Sequence, residues 1–122
     1  MALPSGTWKI NVNGAEGDLT IDAPREGIIT GVVLDKSFRG MWDEASQTIM
    51  FIAHTGGSSD TPRVAFFKGY LFRSPLNPEP GRDVTVSLTG FVQVDDGPFL
   101  PGATGTARRN VFGWLAQISE VV

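Results

Sequence analysis

Along much of the chain apolar and polar residues alternate, and glycine and proline interrupt the alternation at short intervals. Between Asp83 and Val94 the period of two is complete. Val84, Val86, Leu88, Gly90, Val92 and Val94 share one face, and Thr85, Ser87, Thr89, Phe91 and Gln93 share the other. Leu19 and Ile21 alternate in the same way with Asp18, Thr20 and Asp22. The pattern predicts strands over Thr7–Val12, Gly17–Asp22, Gly27–Leu34, Ser37–Asp43, Thr48–His54, Arg63–Arg73, Asp83–Val94 and Thr106–Ser119. Asn13-Gly14 is the strongest two-residue hairpin signal. "APRE" at 23–26, Asp35-Lys36, "EASQ" at 44–47 and Asp95-Asp96-Gly97 supply further turns. Longer links are expected at 55–62, 74–82 and 98–105. A short helix over Asp43 to Gln47 is the one alternative, and the β-branched and aromatic run from Thr48 to Ile52 ends it. Eight strands with mostly short links predict an all-β chain. The expected architecture is an eight-stranded antiparallel up-and-down β-barrel, because closure removes the exposed edges.

Glycine followed by a larger apolar residue recurs in these strands: "TGV" at 30–32, "RGM" at 39–41, "KGY" at 68–70, "TGF" at 89–91 and "FGW" at 112–114. The alternation places Gly69 and Gly90 on the inner face. An inward glycine lets a small barrel coil tightly, and it leaves room for a large side chain or a ligand. The following residues, Val32, Met41, Tyr70, Phe91 and Trp114, are then expected to point outward. With Phe66, Phe72 and Phe112 they would form an apolar outer wall over the last three strands. A contiguous wall of this kind predicts a homo-oligomer, a dimer or a tetramer, with Phe66, Tyr70, Phe72, Phe91, Phe112 and Trp114 in the interface.

Composition narrows the picture. The 122 residues suit a single β-barrel domain spanning 1–122, and 41% apolar content with 19% charged residues is that of a globular chain. A net charge of −3, with no basic run beyond Arg108-Arg109, argues against a nucleic-acid partner. No stretch approaches the length of a membrane-spanning helix, so no membrane partner is expected. "MALPSGTW" lacks the features of a signal peptide, so a cytoplasmic location is the default and a secreted mature form the alternative. Without cysteine there is neither a disulfide framework nor a thiolate metal site.

The candidate chemistry is sparse. His54 is the only histidine, and no nucleophile and acid fall at a spacing that would make it a general base. Asp43 and Glu44 are adjacent and would point to opposite faces of a strand. Asp95 and Asp96 read as a turn rather than as metal ligands. The expectation is a non-enzymatic protein with no cofactor and no metal. Trp8 and Trp42 are expected to face inward, as core or as a stacking wall for a ligand. In the second case Trp8, Asn11, Asn13, Trp42, Asp43 and Trp114 would form a small-molecule site at the barrel mouth. The alternative function is a protein-interaction module, a barrel-type inhibitor or an assembly subunit, using the loops at 55–62, 74–82 and 98–105.

"GTW" at 6–8, the hairpin after it and "ITGVV" at 29–33 resemble the avidin and streptavidin family. "TGF", "FGW" and the apolar outer wall extend the resemblance along the chain as architecture. It implies a ligand-binding barrel that forms tetramers through its late strands. The family's biotin-contacting asparagine falls on Ile10, its third-strand tyrosine on Val33 and the nearby serine on Asp35. Its late aspartate has no counterpart. The resemblance therefore implies the shape of the barrel and a ligand other than biotin.

Overall fold

The computed structural model describes residues 2–57, 62–75, 79–96 and 108–121. Eight strands follow one another in chain order: β1 (Gly6–Val12), β2 (Ala15–Ile21), β3 (Ile28–Val33), β4 (Lys36–Asp43), β5 (Thr48–Gly57), β6 (Pro62–Ser74), β7 (Asp83–Asp96) and β8 (Arg108–Val121). Each pairs antiparallel with its chain neighbour, and β1 pairs with β8 to close the barrel. The β1–β2 and β3–β4 hairpins mark the upper end, and the β2–β3 and β4–β5 connections mark the lower end.

The turns explain the register. Asn13 and Gly14 both adopt positive φ, 48° and 90°, and the Asn11 side chain accepts a hydrogen bond from the Gly14 amide at 2.8 Å. The region from Asp43 to Gln47 is a turn and not a helix. Ser46 donates to the Asp43 carboxylate at 2.6 Å, and Gln47 reverses the chain at φ 56°. β7 runs further than its alternation suggests, because Asp95 and Asp96 pair with Arg109 and Arg108 of β8. Those two aspartates are therefore strand residues, and Gly97 lies outside the described residues, as do 58–61, 76–78 and the expected loop at 98–105.

The interior is filled by aromatic rings. Phe51 lies between Phe38 at 4.3 Å and Phe67 at 4.6 Å, the second pair stacked within 10° of parallel. Trp114 meets Phe51 and Phe67 edge-on at 6.0 and 5.6 Å. Below this cluster lie Trp8, Leu19, Ile21 and Ile29, all buried. Leu3, ahead of β1, is buried at the lower end, and the Trp8 indole donates to the Pro4 carbonyl at 3.2 Å.

The strand glycines are explained by these rings. Gly69 and Gly90 face each other across β6 and β7, with Trp114 paired beside Gly90 on β8. A Cβ on Gly69 would stand 2.6 Å from the Trp114 ring, and one on Gly90 would run into the Lys68 carbonyl. Gly31 makes room for the Phe38 ring and Gly40 for Phe51 and the β5 backbone. Trp42 does face inward and Met41 outward, but the space above Gly40 belongs to Phe51.

β8 departs from the expected face assignment. Gly113 points outward, while Trp114 is buried and Phe112 packs against the core. The pairing of Trp114 with Gly90 requires this, since residues paired across two strands share a face. Phe112 and Trp114 are therefore interior residues and not part of an outer wall. The outer face still carries apolar rows. Ile52, Phe66 and Val111 lie in one row with Gln93, and Met41, Met50 and Phe91 in the next with Lys68. Tyr70, Phe72 and Leu115 extend the exposed apolar surface.

Gly90→Ala is expected to destabilise the protein by about 2–3 kcal/mol, since backbone must move to admit the methyl group. At Gly113 a Cβ would come no closer than 3.9 Å to Gly90, so Gly113→Ala should be neutral or raise stability by up to about 1 kcal/mol. Urea denaturation of both variants reads the difference, and equal effects would contradict the assigned faces.

Candidate functional site

The residues expected to form a binding site do not converge. Trp8 is completely buried, and Trp42 lies at the lower end, where its indole donates to Glu44 at 2.7 Å. Asp43 is exposed and accepts from the β4–β5 turn. Asn11 and Asn13 belong to the opposite, upper end, where Asn11 is engaged in the hairpin turn. Asn11, Asn13 and Trp114 do share a shallow outer depression beside Gly113 and Leu115, but Trp8, Trp42 and Asp43 are remote from it. The reason is the direction of the strands: β1 carries Trp8 near its lower end and Asn11 near its upper end.

Trp114 is fixed on both sides of its indole N–H, which donates to the Phe91 carbonyl at 2.9 Å and the Lys68 carbonyl at 3.1 Å. The ring is 97% buried and so stands in the barrel as packing, not as a free stacking surface. His54 is exposed on β5, opposite Val64 of β6. Among the described residues, no group of three histidine or acidic side chains is placed to hold a metal ion.

Above the aromatic cluster the described residues form a concavity. A cup of about 370 Å³ is lined by Val12, Leu34, Ala65, Phe67, Val92, Val94 and Phe112, with Arg63 and Asn110 at its edge. Its existence follows from small side chains. Ala65 pairs with Val94 across β6 and β7, so on this side of the barrel the layer above Phe67 holds a methyl group and a valine, while Phe38, paired with Ala53, occupies the same row on β4. Phe67 forms part of the lining and also stacks on Phe51, so the cup rests on the packed core. None of these lining residues was singled out by sequence as a ligand contact. The usable signal is the alternation Arg63, Ala65, Phe67, in which one inward column passes from cation to small residue to aromatic ring.

A second concavity of about 510 Å³ crosses the outside of β2, β1 and β8. Its walls include Lys9, Glu16, Asp18 and Gln117, and Lys9 and Asp18 are already paired at 2.7 Å. The cup differs from this groove in its lining, which is mostly apolar where the groove is charged and polar.

Comparison with known protein families, with curated proteins and with solved structures finds no match to this chain. The class is therefore given by the architecture: an eight-stranded, closed, all-antiparallel up-and-down β-barrel.

Trp114→Phe removes the N–H shared by two carbonyls and leaves a void beside Gly69. A loss of about 2–4 kcal/mol is expected. Chemical denaturation measures it, and a change below about 0.5 kcal/mol would show that the indole does not hold the late strands together.

Proposed function

We propose that this protein is a non-enzymatic β-barrel that binds a small, largely apolar ligand in its upper cup. The observation that carries the reading is the apolar lining of the cup. Among the described residues, seven apolar side chains line a space of about 370 Å³, within the range of small-molecule sites, and the space rests on the aromatic core. A preformed floor lowers the ordering cost of binding. The resemblance to avidins supports the barrel shape and not biotin. Ile10 and Val33, where that family places polar contacts, are buried apolar residues, and Asp35 stands exposed in the β3–β4 turn.

The same reading includes self-association. Met41, Ile52, Tyr70, Phe72, Phe91, Val111 and Leu115 are each 40–60% exposed. Together they present on the order of 700 Å² of apolar surface, close to what one partner buries in a standard interface. A second copy of the chain, packing part of this wall against its own, accounts for apolar surface spread over the outer face of β4 to β8.

Light scattering is expected to give a mass that is a multiple of one chain, and Phe91→Lys should return it to one chain without lowering the melting temperature of the monomer. A wild-type mass of one chain at micromolar concentration would refute self-association. For the cup, a thermal-shift panel of small apolar compounds should contain stabilising members, since a ligand of the native state alone raises apparent stability. Ala65→Leu, whose longer side chain grows into the cup, should weaken their binding at least about tenfold. Unchanged binding in that variant would place the ligand elsewhere.

A further inference from the structure

We infer that the ligand of the cup is an amphiphile with a single anionic end, its apolar body lying against Phe67 and Phe112 and its anion held by Arg63 and Asn110. The inference rests on the reading of the cup as the binding site.

Polarity divides sharply within the cup. On β6 the inward column runs Arg63, Ala65, Phe67; on β8 it runs Asn110, Phe112, Trp114. In each, one step along the strand passes from a polar group at the rim to an apolar side chain below. Between them β7 contributes Val94 and Val92, and Val94 is the direct neighbour of both Ala65 and Asn110. The two polar residues thus stand on either side of β7 but one step apart: Asn110 pairs with Val94, and Arg63, one step higher, pairs with Asp96. A ligand that fills the lower part places its upper end between a guanidinium and an amide.

The chemistry of those two groups selects the end. A guanidinium offers five N–H donors in a planar fork and no acceptor, and an amide can add N–H donors beside it. Carboxylate and sulfonate oxygens match that set, and charge-assisted hydrogen bonds to arginine are stronger than those to neutral groups. Arg63 already has a partner within the protein, so an arriving anion shares the fork and does not find it vacant. The nearby Asp95 carboxylate is committed to Arg109 at 3.0 Å and to Gln93 at 3.2 Å on the outer face. Alternation along β7 sets Asp95 on the face away from Val94 and the cup, and sets Asp96 in one row with Arg63 and Arg108, so that row carries two cations to one acid. A cationic end would meet Arg63 with like charge, and a neutral hydroxyl would gain a single weak bond.

Calorimetric titration of the folded chain with decanoate, decanol and decylamine tests the assignment. Decanoate is expected to bind about tenfold more tightly than decanol, and decylamine more weakly than either. Arg63→Gln should bring decanoate to the affinity of decanol and leave decanol unchanged, while Arg63→Lys keeps part of the preference. Melting curves of both variants, expected to match the wild type because Arg63 is exposed, show that the fold persists. Equal binding of decanoate and decanol, or a preference that survives Arg63→Gln, would overturn the anionic end and leave the cup as an apolar site. Failure of all three compounds to bind would overturn the cup as well.

Discussion

The indole of Trp114 sits where three strands meet, and the geometry of the barrel depends on it. Its N–H reaches two carbonyls of neighbouring strands, Phe91 on β7 and Lys68 on β6. It can do so because the facing residues at that level, Gly69 and Gly90, have no side chain. A buried indole N–H without an acceptor is costly, and a glycine pair in mid-sheet weakens the sheet. Each defect compensates the other: the glycines admit the ring, and the ring supplies the packing they lack. Phe51 and Phe67 then lean on the ring's edges, and through Phe51 the contact reaches Phe38 in β4.

This central plug divides the interior into two unequal parts. Below it lie the large buried side chains of Trp8, Leu19, Ile21 and Ile29, and the segment before β1 is drawn in through Leu3. Above it the inward residues shrink to alanine and valine, and the barrel becomes a shallow vessel with a rigid floor. A barrel of eight strands is just wide enough for either filling or a small guest, so the choice is made layer by layer through side-chain volume. Here both outcomes occur in one barrel, at different heights.

The architecture was legible in the sequence because every one of its cues is local. Alternation in β7, the Asn13-Gly14 turn and the glycine-aromatic pairs each report on a few consecutive residues. The inward position of Gly69 and Gly90 and the outward position of Tyr70 and Phe91 follow from that alternation alone. β8 was misread because both of its faces are apolar, so alternation could not choose between them. The analogy with the other glycines put Gly113 inside, whereas pairing with Gly90 puts Trp114 there. The extension of β7 through Asp95 and Asp96 escaped for a related reason: two aspartates before a glycine resemble a turn, and only the partner arginines on β8 make them a strand. The cup was invisible because it is defined by what is missing. Ala53, Ala65 and Val94 are distant in sequence, and only their register sets them side by side.

The pairings are unequal in reach. β7 and β8 match along their whole described lengths, while the β1–β8 register runs over Lys9 to Val12 with Gln117 to Trp114, extended by one hydrogen bond from the Asn13 amide to the Gly113 carbonyl at 3.2 Å. Every other neighbouring pair is also consecutive in the chain, so its ends are brought together across a modest loop. The seam instead closes a loop of nearly the full chain, and loop-closure entropy makes it the slowest contact to gain by chance. Trp114 stands in that seam opposite Val12 as well as beside Gly90. The residue that plugs the barrel is thus also the one that can tell the first strand where to dock, turning a search over the whole chain into the capture of a short edge by a sheet already assembled.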